Sequence, residues 1–326
     1  MSPIQSSTAH SSAGATHVLV VTGASGDPEY AARFEGAAAT LLTGLGDAGV
    51  PAANVTWLAE APERTRGRAA GRSTKAEVER ALAALATRAG AGDRVLVVLI
   101  GHGSHQGAES RLNLPGPDIT AAELATHLDR IRGASVAVVN AASASGDFVP
   151  VLATRGRVVI TATKTALERN ETRFAAHFAR AFAGAAADTD KDGRVSLLEA
   201  FDYARREVER EYEQGRRLRT EHAILDDDGD GRGSPTPTAT GAGDGRVAAA
   251  FVLGGGATRA VAGAGATGAR ADSLRARRAE LERAVADLRA RKDSMEPAAY
   301  EHELERLALA LAGTNQALRA LEGGTP

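Results

Sequence analysis

Val95-Leu96-Val97-Val98-Leu99-Ile100-Gly101-His102-Gly103-Ser104 is the stretch that decides the fold. Its apolar run is too short to span a membrane and too continuous for a strand with one wet face. It reads as a strand buried on both sides, the mark of a parallel sheet covered by helices. The glycines around His102 then end the strand in a loop. Working outward, His17–Thr22, Val55–Leu58, Ser135–Asn140 and Val158–Thr163 repeat the short β-branched pattern. Tyr30–Gly44, Ser73–Arg88 and Thr120–Ile131 separate them with helical spacing. Val78, Ala81, Leu82 and Leu85 recur on one helical face behind Ser73, which reads as an N-cap. Thr120 and Glu123 form a capping box. Strands alternating with helices at this spacing predict an α/β fold around a mainly parallel sheet.

Composition narrows the function classes. The 326 residues carry 39 Lys and Arg against 41 Asp and Glu, a net charge of −2, which excludes a nucleic-acid binder driven by bulk charge. No apolar run approaches the ~20 residues of a membrane span, and no basic start followed by an apolar region suggests export. The protein is therefore expected to be soluble, with its compartment undetermined and an extracytoplasmic one among the readings. Without cysteine, the chain can hold no disulfide, thiolate metal site or cysteine nucleophile. Aromatics at 4% leave the core to Ala, Val, Leu and Ile.

A second strand end also carries reactive residue types: Val136-Ala137-Val138-Val139-Asn140-Ala141-Ala142-Ser143-Ala144-Ser145-Gly146. In a parallel sheet, chemistry gathers at the carboxyl ends of strands. A His after one strand and a Ser after another let an imidazole and a hydroxyl approach across neighbouring strands. An apolar block ending in His-Gly, then a second ending at a nucleophile, resembles the caspase–legumain clan of cysteine peptidases. The likeness is closest to the legumain-like branch (peptidase C13) and runs from about His17 to Ala183. Gly23–Gly26 with Tyr30 is similar to that branch's first strand-loop. Gly101-His102-Gly103-Ser104 is similar to its catalytic histidine motif, and Ser143-Ala144-Ser145-Gly146 stands where the family has Cys-Glu-Ser-Gly. Val159–Glu168 is similar to the strand and loop behind the nucleophile.

The resemblance implies a caspase-like three-layer α/β/α sandwich, with His102 and Ser143 at the catalytic positions. The chain departs from the family in three places. The nucleophilic Cys falls on Ser143, the acidic residue two before it on Ala141, and the Arg-His pair of the substrate pocket on Ala31 and Ala32. A hydroxyl is not appreciably ionised at neutral pH and needs a base steadied by a third group. Asn140, Asp147 and Glu29 are the polar residues near enough in sequence to consider. The expected function is a catalytically impaired binding or scaffold protein with a protein or peptide ligand. The alternative is an active endopeptidase or other hydrolase using His102 with Ser143, or with a cysteine originally at 143.

Asp188-Thr189-Asp190-Lys191-Asp192-Gly193-Arg194-Val195-Ser196-Leu197-Leu198-Glu199 matches the twelve-residue EF-hand calcium loop at each diagnostic position. Asp188, Asp190 and Asp192 supply alternating carboxylates, Gly193 the sharp turn, Arg194 a backbone carbonyl, Ser196 the ninth position and Glu199 the closing carboxylate. Helices are expected over Glu171–Ala185 and Leu197–Gln214. Asp226, Asp228 and Asp230 repeat the spacing, but their twelfth position is Pro237, so a glycine-rich turn and a second metal site remain equal readings. A short strand is expected at Val247–Leu253.

The expected layout is a disordered leader over 1–16, a caspase/legumain-like domain over 17–253 with the calcium loop at 188–199, a Gly/Ala linker over 254–271, and a helical hairpin over 272–323. In the hairpin, Leu274, Leu281, Leu288 and Met295 recur every seven residues. Tyr300, Leu304, Leu307, Leu311, Thr314, Leu318 and Leu321 alternate by four and three. Packing on the main domain and homo-oligomerisation through the hairpin are equally weighted readings.

Overall fold

The computed structural model describes residues 14–107, 109–254, 274, 277, 278, 281, 284, 285, 288 and 296–322. The leader up to residue 13, the linker from 255 onward and Met295 lie outside the described residues. The chain divides into two compact units, Met1–Ala257 and Thr258–Pro326.

Among the described residues, the first unit contains ten strands: β1 (Thr16–Thr22), β2 (Val55–Ala59), β3 (Gly71–Arg72), β4 (Arg94–Ile100), β5 (Gly103–Gln106), β6 (Glu109–Leu112), β7 (Ile119–Thr120), β8 (Ser135–Asn140), β9 (Val158–Thr161) and β10 (Ile224–Asp226). Seven form the central sheet in the order β10-β9-β8-β4-β1-β2-β3. All neighbours there are parallel except β10, which runs antiparallel to β9. The remaining three, β5-β6-β7, form a small antiparallel sheet.

The helices are α1 (Pro28–Asp47), α2 (Lys75–Arg88), α3 (Ala121–Leu128), α4 (Val149–Leu152), α5 (Phe174–Ala181), α6 (Leu197–Gln214) and α7 (Arg246–Ala250). They make the first unit a three-layer α/β/α sandwich. Alternate residues of the continuous apolar strands point to opposite faces. Val18, Val20, Leu96, Val98 and Val139 join Phe34, Leu41, Phe178 and Phe201 in one core. Leu19, Val21, Val97, Leu99 and Val138 join Val78, Leu82 and Leu124 in the other. Each such side chain contributes about 1.5–3 kcal/mol when fully buried. Helix α1 starts at Asp27, whose carboxylate accepts the Glu29 amide at 2.7 Å, with Pro28 in the first turn. Gly44 lets α1 meet the chain end of α5, because a Cβ there would lie 2.8 Å from the Phe182 carbonyl carbon.

Several expected elements shift. Ser73 is not the cap of α2. Its hydroxyl donates to the Thr22 carbonyl at 2.7 Å, and Thr74 takes the N-cap position. Val247–Leu253 is not a strand. Arg246–Ala250 is a helical turn because both Asp227 carboxylate oxygens accept amides there, from Gly245 and Ala248. The helix expected over Glu171–Ala185 shrinks to Phe174–Ala181, and β9 ends at Thr161 rather than Thr163. β10 and the small sheet were not expected, since their strands are two to four residues long and lack an apolar run.

In the second unit, Pro297–Glu322 is helical. Leu281, Leu288 and Leu307 form a small cluster with Tyr300, Leu304 and Leu311 packed on it. Among the described residues, no helix is long and apolar enough to cross a membrane.

The sheet order fixes where a ligand can sit. The chain starts centrally in β1, builds outward through β2 and β3, then returns to β4 on the other side. The carboxyl-end loops of β1 and β4 therefore diverge at the topological switch point, where open α/β sheets form their crevice. Two backbone bonds hold these loops: Gly23 N to Ile100 O at 2.8 Å and Ala24 N to Asn113 O at 2.9 Å.

Candidate functional site

His102 leaves β4 at this switch point. Its ring packs edge-on against Tyr30 and Phe34 of α1, with centroids 4.7 and 5.1 Å away. Burial pushes its pKa down, a hydrogen bond with the Ser25 backbone pulls it up, and the Arg33 charge pushes it down again. The net direction is downward, which favours the neutral ring.

Ser143 lies beyond β8, on the neighbouring strand, and is 1% exposed. Its Oγ accepts the Gly103 amide at 3.2 Å and donates to the Gly103 carbonyl at 3.5 Å. Gly103 must be glycine for this approach, because a Cβ there would stand 2.2 Å from the Ser143 carbonyl oxygen. Ala144 follows with φ 50°, a turn that L residues rarely make. The structure thus brings Ser143 to the residue next to His102. Among the described residues, no hydrogen bond joins the imidazole to the hydroxyl.

None of the three candidate third groups contacts His102 by a hydrogen bond. Asn140 Oδ1 accepts the Ala142 amide at 3.1 Å, while its Nδ2 is buried without a partner. Asp147 accepts the Ala166 amide at 3.1 Å, and Glu29 is exposed and 3.5 Å from Arg33. Sequence reasoning missed a second histidine, His105 on β5. Its Nδ1 lies 3.0 Å from Ser110 Oγ and 3.6 Å from Asp147 Oδ2. Both partners reach the same nitrogen, so this trio cannot relay a proton through the ring as a catalytic triad does. At the family's pocket positions, Ala31 is buried and Ala32 exposed.

The 188–199 loop joins α5 to α6. Carboxylate oxygens of Asp188, Asp190 and Asp192 lie within 4.8 Å of one another. Oxygens on a calcium sphere of radius about 2.4 Å are separated by no more than about that distance, so these three carboxylates are spaced as the ion needs, and Glu199 is not in the group. Gly193 turns the loop with φ 84°, as its sixth position requires. Glu199 bonds at both oxygens. Oε1 accepts the Thr189 amide at 2.9 Å, and Oε2 accepts the Ser196 amide at 2.9 Å in a capping box that starts α6. The capping role was missed, although Ser196 and Glu199 carry its spacing.

In the second cluster, the third carboxylate beside Asp226 and Asp228 is Asp244 rather than Asp230. Asp226 is fully buried, and burial raises its pKa to about 6, with Asp244 adding to the rise. Its oxygens accept the Gly229 and Gly231 amides.

A cavity of ≈ 150 Å³ opens beyond β9, lined by Ala162, Phe174, Arg205, Arg219, Glu221 and His222 among others. Glu221 is 2% exposed, and its carboxylate caps α5 through the Arg173 and Phe174 amides. Burial drives its pKa up to about 7 against these bonds.

No family model matches the chain, and no curated protein matches it. Solved structures do match. A structural-genomics target from Geobacter sulfurreducens is similar over 65% of this chain and 92% of its own, at 16% identity and a TM-score of 0.43. The structure of drICE is similar over 67% of this chain and 89% of its own, at 9% identity and a TM-score of 0.40.

Proposed function

We propose that this chain is a distant relative of the caspase–legumain clan that binds a protein or peptide and does not cleave it. The observation carrying this reading is the state of Ser143: buried, with its hydroxyl bonded to the Gly103 backbone in both directions. A nucleophilic hydroxyl needs an open face and a base accepting its proton. Here the strand bearing Gly103 covers the hydroxyl. The sheet topology and the order of the strand-end motifs support the clan reading. An acyl-enzyme trapping probe tests it. No label at Ser143 is expected. Labelling of the wild type that is lost in Ser143→Ala would overturn the reading in favour of a hydrolase, the reading that the neutral imidazole of His102 favours.

The same proposal includes one structural calcium ion held by Asp188, Asp190, Asp192, the Arg194 carbonyl, Ser196 and Glu199. When bound, the ion would neutralise carboxylates that otherwise repel across one short loop. Its role would be to fix the connection between α5 and α6.

A further inference from the structure

Two large apolar side chains of the first unit stand far out of the surface: Leu167 at 79% exposure and Leu218 at 90%. Each lies in a loop rich in cations. Leu167 sits in Lys164-Thr165-Ala166-Leu167-Glu168-Arg169, and Leu218 in Gly215-Arg216-Arg217-Leu218-Arg219. Lys164, Arg169 and Arg216 are exposed and form no ion pair among the described residues, and the exposed Arg217 guanidinium forms none either but stacks over the Tyr212 ring, 5.5 Å from its centroid. Exposed leucines in a monomeric surface are ordinary when single, but two beside unpaired cations make an amphipathic patch.

Antiparallel pairing of β10 with β9 carries both loops to one end of this strand pair. Glu168 accepts the His222 amide at 3.0 Å and lies 2.6 Å from the His222 ring, so the loop carrying Leu167 is bonded to a cavity-lining residue. Arg219, next to Leu218, lines the same cavity. Arg205, another lining residue, has a buried Nε with no hydrogen-bond partner. Of the acidic groups nearby, Glu209 pairs with Arg219, Glu168 with His222, and Glu221 holds the start of α5, while Glu213 at the end of α6 is exposed. The lining cations Arg205 and Arg219 share Glu209, whereas Lys164, Arg169 and Arg216 in the adjoining loops form no ion pair among the described residues.

We propose that the 164–169 and 215–219 loops, with the cavity they border, form a docking surface for an acidic peptide segment bearing apolar side chains. The cations steer and pair with its carboxylates, Leu167 and Leu218 pack on its apolar residues, and the cavity takes one side chain. A lipid surface shares the charge logic but has no use for a side-chain-sized cavity. This rests on the peptide-binding reading above and names the partner's chemistry.

The test is fluorescence anisotropy on the full chain with three labelled random peptide pools: Asp/Glu with Leu, Lys with Leu, and uncharged. Phosphatidylserine vesicles form a fourth arm. The acidic pool should bind, and should weaken with salt. Both Leu167→Ser/Leu218→Ser and Arg216→Glu/Arg217→Glu should lower its affinity about tenfold or more. All four side chains are exposed, so an unchanged melting curve checks the fold. Acidic-pool binding that survives both double variants overturns this surface, as does binding of another pool alone, and in either case the peptide-binding reading stands. Vesicle binding without peptide binding overturns the proposal in favour of a membrane. No binding in any arm overturns the surface and the peptide-binding reading together.

Discussion

Glu221 is a carboxylate where sheet geometry leaves little water. Its folded-state pKa of about 7 lies above the ordinary 4.5, so the folded chain holds this proton more tightly than the unfolded chain does. The contribution is therefore fully present below about pH 4.5 and is lost as pH rises through about 7. In urea titrations across this range, Glu221→Gln should flatten the fall by up to about 3 kcal/mol. The amide still accepts from the α5 amides, so the helix start should survive. An identical pH slope in the variant would show that other groups carry the dependence. This residue was not legible in the sequence. A glutamate in a polar loop carries no sign that β10 will fold back and bury it, whereas His102 was legible because an apolar strand ended at it.

At the level of elements, the long parallel strands announced themselves because burial on both faces demands unbroken apolar runs. The short pieces did not, since a side chain from elsewhere decided them. Asp227 makes a helix of residues 246–250, and only the fold brings it there. The 188–199 loop shows both sides: its alternating carboxylates were plain, while the use of Glu199 as a helix cap was hidden in the same letters. That double duty shapes a prediction. Millimolar calcium should raise the melting temperature, by about 2.7 kcal/mol of stabilisation at roughly 100 times the dissociation constant. Glu199→Gln should remove most of that gain and cost the apo form about 1 kcal/mol, because glutamine keeps the capping box but its NH2 cannot accept the Thr189 amide. Superimposable melting curves in chelator and in calcium would rule the ion out.

On the scale of the molecule, the division at residues 257 and 258 predicts independent behaviour. Each unit has its own apolar cluster, so deleting residues 258–326 should leave a single cooperative transition in the first unit. Loss of cooperativity in calorimetry would show that the division is not one of stability. If the leucine seam of the second unit mediates self-association, light scattering should record a smaller particle after the deletion.

The outer rim of β10 gives self-association a further constraint. Leu225 exchanges both backbone bonds with Ser234, at 2.9 and 2.8 Å, so a returning segment of the same chain occupies the hydrogen-bonding row that a neighbouring molecule would need. The opposite rim ends in a strand of two residues. The sheet is thus hemmed at both margins against growing from one copy into the next, a safeguard against fibre-like stacking. Ser234→Pro would strip the donor from that hem. It should turn a clean monodisperse preparation of the first unit into one that gains mass with concentration, by pairing of bared β10 rims.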